Sequence, residues 1–401
     1  MKNCNKKIIQ FIATAFLLVG CDSNINSSNS SLTSSSGFSN TTSQENCYVI
    51  TWKNYDGTVL EVDVNVKEGV LPTYDGATPI KPDDSEYTYT WNGWDNEVVP
   101  ATNNKTYTAT YTSTKIKTEE DILNEKYAKK PIISEDGKMV KYGLYPQTYV
   151  KDDSLIFSLN ELKSSVSDNG WYLFKDNYYV KVYAKPYQGN TTFNDGKPIF
   201  AKKEYWFKCE PINWNIISKN NNEYTIVSST LLDVKPFYVY SNLYPRTIDE
   251  KTVYHNNYEY SDIRSWLNDD FYKSAFRLGN KHIQDTDVDN SLSTTSNIYK
   301  NPYACENTID KVFLLSYKDY FSDNIFSDNE SRKCKASDYT LATGAYTIAD
   351  SVGIYWSRSP YYFNDDNHTK VDVVNDYGKN GACYVGDTNK CVRPALTITI
   401  E

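Results

Sequence analysis

The sequence is 401 residues long, which at roughly 150 residues per domain argues for two or three folded units. Hydrophobic residues make up 39% and aromatics 15%, with 36 Tyr, a composition that excludes global disorder and predicts cores built from rings. The net charge is −9, or −12 without residues 1–20, which leaves no electrostatic footprint for nucleic acid; three His, 17 Gly and no GxxxxGK or HExxH string exclude the common phosphate-loop and zinc-hydrolase chemistries.

Residues 1–20 read as a processing signal. A basic start (Lys2, Lys6, Lys7) precedes the apolar run Ile8 to Val19, which is too short to span about 30 Å of hydrocarbon. The run ends in Leu18-Val19-Gly20-Cys21, which resembles the lipobox of bacterial lipoproteins. That resemblance implies a diacylglyceryl group on Cys21, whose two acyl chains would hold the protein on the outer face of a cell membrane. An ordinary secretory signal with a chance Cys is the alternative. From Asp22 to Asn46, 18 of 25 residues are Ser, Asn or Thr, so residues 21–46 read as a lipidated Cys and a tether reaching roughly 25–30 Å.

Residues 47–114 read as a small sheet. Strands are expected at Tyr48 to Lys53, Leu60 to Val66, Tyr87 to Trp91 and Thr106 to Thr112, and Asn54-Tyr55-Asp56-Gly57 should turn the first pair into a hairpin. Unbroken alternation of Leu60, Val62, Val64 and Val66 with Glu61, Asp63 and Asn65 predicts a strand with its aliphatic face buried. The strings ITWKNYDGTVL, PTYDGATPIKP, YTYTWNGW and YTATY resemble the internalin B-type (Listeria-Bacteroides) repeat, which implies a β-grasp-like fold serving as spacer or adhesion module. Residues 115–131 suggest a connector helix, with Thr118 as N-cap and Glu119-Glu120-Asp121-Ile122-Leu123 opening it before Pro131.

Residues 132–401 are expected to form one large α+β domain. Its clearest helix spans Asp262 to Phe276 after Ser261 as cap, with Ile263, Trp266, Leu267, Phe271 and Ala275 on one face. KYGLYPQ (141–147), EPINWNII (210–217), SDIRSWLNDDFYKSAF (261–276), DKVFLLS (310–316), YWSRSP (355–360) and VRPALTI (392–398) resemble the bacterial "domain of unknown function 6273" family, with residues 150–208 as a looser insertion. The Trp-x-Arg string at 356–358 and Arg-Pro-Ala at 393–395 are also similar to the C-type-lectin and formylglycine-generating-enzyme superfold. That likeness implies a terminal strand returning to the core and long loops carrying any ligand site.

Chemistry-bearing residues are sparse. Six Cys follow Cys21, and in an exported chain Cys383 and Cys391, bracketing the Gly386-Asp387 turn, are the candidate disulfide, while the others read as buried thiols. No cofactor and no metal are assigned. Calcium is weighed at Asp285-Thr286-Asp287-Val288-Asp289, which lacks the sixth-position Gly and twelfth-position Glu of a calcium loop, and at Asp365-Asp366-Asn367-His368. His255, His282 and His368 are scattered and read as surface or cap residues. Lys outnumbers Arg 36 to 6, so each Arg is an exception: Arg264, Arg358 and Arg393 are expected in buried structural pairs, with Arg358 beside Trp356, Tyr361 and Tyr362 also a candidate ligand contact. The expected protein is a membrane-anchored surface lipoprotein whose domain binds an extracellular glycan or protein without catalysis. The alternative is an exported oxidising or hydrolytic enzyme with its site in the loops at 150–208 or 360–390.

Overall fold

The computed structural model describes residues 46–162, 170–189, 191–240, 242, 244–322, 324–363 and 368–400. The chain divides into two compact units, Met1–Ile116 and Lys117–Glu401. It is mostly β-sheet, in several separate sheets, with few helices. Among the described residues no helix is long and apolar enough to cross a membrane.

The first unit is a four-stranded sheet of β1 (Cys47–Lys53), β2 (Val59–Lys67), β3 (Tyr87–Trp94) and β4 (Lys105–Lys115) in the order β2-β1-β4-β3, with β1 and β4 parallel. Gly57, at φ +85°, closes the β1–β2 hairpin in a conformation that a side chain would oppose. The core is aromatic: Trp52 stacks on Tyr107 at 4.8 Å, touches Trp94 at 4.7 Å and donates its indole N–H to Asp63 at 2.9 Å.

Only the two ends of the aliphatic stripe of β2, Leu60 and Val66, pack against that core. Ile50 and Trp52 lie opposite Asp63 and Glu61, so Val62 and Val64 project from the other face and are 47% and 64% exposed. The cause is a pair of register shifts, one at Tyr48/Ile50 beside Asn65 (φ +60°) and one at Trp52/Lys53. A bulge inserts one residue and inverts which side chains face inward, which strict alternation does not reveal.

The second unit opens with α1 (Glu119–Tyr127), started by a capping box between Thr118 and Asp121. This helix is no isolated connector, because the Tyr127 hydroxyl donates to Asp176 O at 2.8 Å and its ring meets Tyr178 at 5.9 Å. There follow β5 (Ile132–Ile133), β6 (Met139–Tyr149), α2 (Asp153–Asn160), β7 (Trp171–Phe174), β8 (Asn177–Tyr183), β9 (Glu204–Asn220), β10 (Glu223–Ser228) and β11 (Asp233–Val234). The ribbon β12 (Arg246–Ile248) and β13 (Lys251–Val253) precedes α3 (Asp262–Trp266) and α4 (Tyr272–Ala275). Next come β14 (Thr286–Val288), β15 (Thr308–Asp310), β16 (Phe313–Leu314), α5 (Tyr317–Phe321), α6 (Asn329–Arg332) and α7 (Asp338–Thr343). The described chain ends with β17 (Tyr355–Pro360), β18 (Lys370–Val374), β19 (Asn380–Tyr384), β20 (Cys391–Val392) and β21 (Pro394–Thr399).

Two sheets frame this unit. The larger runs β16-β21-β10-β9-β6-β5, with the β7–β8 hairpin added along β9, and the smaller runs β11-β20-β17-β18-β19. Buried β21 is an interior strand of the larger sheet, held between β10 and β16. A π-helical turn over Leu267–Phe271 joins α3 to α4. It explains the buried stripe Ile263, Leu267, Phe271 and Ala275, whose spacing of four would drift by about 40° per step around an unbroken α-helix. β6 passes close beneath this helix at Gly143 (φ +73°), where a Cβ would stand 2.8 Å from Ala275 O and 2.6 Å from the Phe276 ring.

Candidate functional site

The arginines singled out by their scarcity act as fasteners between strands and loops. Arg264 donates to Asp310 Oδ1 at 2.7 Å and to Glu259 O at 2.9 Å. Burial raises the pKa of Asp310, and the Arg264 charge opposes that rise. Arg358, 6% exposed, donates to Leu314 O at 2.8 Å, Asp289 O at 2.9 Å and Asp319 Oδ2 at 3.1 Å. Arg393, 2% exposed, was expected to face a carboxylate, but its guanidinium instead reaches Ser228 O at 3.0 Å, Arg332 O at 3.4 Å and the Tyr355 hydroxyl at 3.0 Å.

The aromatic part of the expected ligand site is not available to a ligand. Trp356 is wholly buried, donates its indole N–H to Lys235 O at 2.8 Å and packs against Phe237 at 5.8 Å. Tyr362 is buried against Tyr303 at 5.8 Å, Tyr361 is half-buried, and Arg358 is buried with both terminal nitrogens in the contacts above and its Nε without a partner. Strand β17, which carries Trp356 and Arg358, is buried at every position, as suits a strand inside its sheet with both faces covered.

The expected bridge between Cys383 and Cys391 is absent, and Cys209, Cys305, Cys334, Cys383 and Cys391 are all free thiols. The sheet order separates them: β20, carrying Cys391, and β19, carrying Cys383, have β17 and β18 between them. Three strand spacings are about 14 Å, twice the reach of roughly 7 Å between bridged Cα atoms. Burial pushes the thiols of Cys305 and Cys383 up to about 11 and raises that of Cys391 as well. Counting alkylated thiols by mass, we expect Cys47, the one exposed position, to label in the native protein, and the other five to label only after denaturation without reductant. A native-state disulfide in that mass would overturn the assignment.

The calcium reading at residues 285–289 also gives way. Thr286–Val288 is strand β14, paired with β15; Asp285 is bound by Lys311 at 2.5 Å, and Asp289 lends its backbone oxygen to Arg358. Asp365, Asp366 and Asn367 lie outside the described residues, as does Cys21. Nor are His255 and His282 surface residues, for they are 2% and 9% exposed.

A cleft that no single motif announces forms instead where the chain between β8 and β9 folds back over the end of β6. Phe193 stacks on Tyr149 at 3.9 Å with 14° between the rings, and the turn to Gly196 (φ +83°) sends Asn194 and Asp195 toward α7. Asp338, buried at the start of α7, accepts Asn194 N at 2.9 Å, Asn194 Nδ2 at 2.8 Å and Tyr149 N at 3.3 Å. Asp195 accepts the Tyr149 hydroxyl at 2.8 Å, Lys197 N at 3.1 Å and the Lys151 ammonium at 3.0 Å. Desolvation pushes the Asp195 pKa upward, but these three donors outweigh it and hold the carboxyl at about 2. Burial, followed by the bond to Asp195, raises the Tyr149 phenol well above its ordinary value. Both groups therefore keep a fixed protonation state at neutral pH.

Three adjoining hollows make up the cleft. One of about 380 Å³ is walled by Phe200, Tyr205 and Trp206 with Lys197 and Lys203 at its edge. A second of about 600 Å³ holds Gln147, Asn194, Asp195 and Asp338, and a third, more polar one of about 450 Å³ reaches Tyr187 and Tyr346. Lys151 lines the first two, and Asn194 links the second to the third. Phe200 is 58% exposed, whereas Trp206 behind it is buried with its N–H on Asn160 Oδ1 at 2.9 Å.

Residues 221–400 match the family model described as Domain of unknown function (DUF6273). The match takes in β10 through β21, so the strings at 141–147 and 210–217 lie ahead of it although they belong to strands of the same sheet. The cleft therefore has α7 and residues 335–351 from the DUF6273 segment on one side, and β6 with the 187–206 excursion on the other. No curated protein and no solved structure matches the chain.

Proposed function

We propose that this chain is a bacterial surface lipoprotein, anchored through a lipid on Cys21, whose larger unit binds an extracellular glycan in the cleft beneath residues 187–206 without catalysis. The observation that carries the reading is the pairing of an exposed ring, Phe200, with hydrogen-bonding groups that are already fixed by their own partners, Asn194 and Asp195. A sugar offers an apolar ring face for the first and hydroxyls for the second, and pre-set polar groups spare the cost of ordering them on binding. The fixed charge states of Asp195 and Tyr149 favour recognition over proton transfer. In the smaller unit the order β2-β1-β4-β3 with its parallel central pair supports a β-grasp-like module, and exposed Val62 and Val64 on its open face suit contact with a protein or matrix surface. The interior placement of β21 agrees with a lectin-like arrangement for the larger unit.

The cleft is tested with a panel of immobilised glycans and the full chain. Phe200→Ala, which removes a mostly exposed ring, should leave the melting temperature in place and weaken the best glycan about tenfold or more. Unchanged affinity would remove the cleft from the reading. The anchor is tested separately: Cys21→Ser should move the protein from the membrane fraction to the soluble one, and continued membrane retention would refute lipidation there.

A further inference from the structure

We infer a divalent transition-metal site between His255 and His368. The backbone brings these two residues together across 113 positions of sequence: Asn256 N–H donates to His368 O at 3.1 Å, and Asn256 Nδ2 donates to Lys370 O at 3.0 Å. The segment after β13 is thereby pinned along the start of β18. The two imidazole rings lie 5.6 Å apart at their centres with 40° between their planes. An ion about 2.0–2.1 Å from a ring nitrogen sits about 3.2 Å from that ring's centre, so two rings sharing one ion have centres no more than about 6.4 Å apart. The observed spacing falls inside that limit.

The tautomer of His255 points the same way. Its Nε2 lies 2.9 Å from Asn242 O, and a carbonyl only accepts, so Nε2 carries the proton of the neutral ring and Nδ1 carries the lone pair. Nδ1 is buried and has no hydrogen-bond partner, on a side chain that is 2% exposed. A ring fixed by a backbone carbonyl at one nitrogen, with the other free, is how ligating histidines are held. Tyr240 walls His255 at 4.9 Å, and Tyr254 meets His368 at 6.1 Å. His368 is half-buried and gives an ion its way in.

The electrostatics select the kind of ion. Arg246 rests 4.2 Å over the Tyr238 ring, with Nη2 on Tyr260 O at 3.2 Å, and its positive charge also acts on His255. The Arg246 charge opposes any cation there, so only an ion bound strongly by imidazole itself, such as Zn²⁺, Cu²⁺ or Ni²⁺, suits the pair, and an ion that needs oxygen ligands, such as Ca²⁺ or Mg²⁺, does not. Among the described residues no cluster of three His, Cys, Asp or Glu stands ready for a metal, so the remaining positions fall to water or to a bound ligand.

The test is Zn²⁺ titration of the full chain in detergent, followed by calorimetry and by the shift in melting temperature, with Co²⁺ as a spectroscopic substitute. One equivalent of Zn²⁺ should bind and raise the melting temperature. His368→Gln and, separately, His255→Phe should each weaken binding about tenfold or more. His368→Gln changes only a half-buried side chain, so it decides the question even if His255→Phe does not fold. No melting shift at millimolar Zn²⁺, undiminished affinity in His368→Gln, or a thiolate charge-transfer band with Co²⁺ would each overturn the site.

Discussion

Arg393→Ala should destabilise the larger unit by about 3–5 kcal/mol, enough to consume much of a typical domain's stability. The guanidinium is buried and serves three acceptors at once, Ser228 O, Arg332 O and the Tyr355 hydroxyl, while its face lies 5.3 Å from the centres of both the Phe326 and Tyr355 rings. Truncation takes the guanidinium donor from Ser228 O, leaves Arg332 O and the Tyr355 hydroxyl with only each other in a dry interior, and opens a cavity among the rings, losses that together cost more than a surface contact would. Arg393→Lys should recover only part, since an ammonium on a single stem cannot span the three acceptors. Denaturant midpoints of the two variants and the parent check this. A midpoint for Arg393→Ala within about 0.5 kcal/mol of the parent would mean that the arginine is not a fastener.

A second large effect should come from Asp372, a carboxyl buried in β18. Burial pushes it up to about 7, with hydrogen bonds from Ser296 and Asn380 opposing the rise. The Ser296 hydroxyl donates to Oδ2 at 2.9 Å, and Tyr317 stands close enough for its phenol to feel the charge. In the unfolded chain the same carboxyl titrates near about 3.9. Its folded pKa is raised, so the stability it contributes is complete below about pH 4 and is lost as pH rises through about 7, by up to about 4 kcal/mol. Asp372→Asn removes that term. Relative to the variant, the parent should therefore lose stability between pH 4 and pH 8, whatever slope the other carboxylates impose on both. Parallel stability curves for the two proteins over that range would show that Asp372 titrates normally in the fold.

How much of this was legible depended on the range of the interaction concerned. The hairpin at Asn54–Gly57, the Thr118 cap of α1 and the Ser261 cap of α3 are local, and turn and capping residues announce them. The spacing of Ile263, Leu267, Phe271 and Ala275 even carried the π turn, to a reader who asks why it is four throughout. The direction of the β2 stripe was not legible, because a bulge depends on what the partner strand does. Cys383 and Cys391 are eight positions apart yet separated by two intervening strands, which sheet order alone decides. The scarcity of Arg located Arg264, Arg358 and Arg393 as special, but not that Arg393 would meet carbonyls and rings in place of an acid. The cleft gave no motif signal, since Tyr149, Asn194 and Asp338 meet only when three distant stretches fold together.

The interior position of β21 has a consequence for how the protein comes into being. Tyr224 of β10 pairs with Ile398, 174 positions later, and Phe313 of β16 pairs with Ala395. Until residues 394–399 have left the ribosome, and for an exported chain the translocation pore as well, β10 and β16 each present an unpaired edge with aliphatic side chains bare. Such late, distant pairing makes for slow folding, and the intermediate that waits for it is open to proteases and to association with its own copies. A chain interrupted anywhere before residue 394 would thus carry the capped helices and hairpins of this fold without the strand that closes its larger sheet, and would depend on chaperones for as long as it persisted.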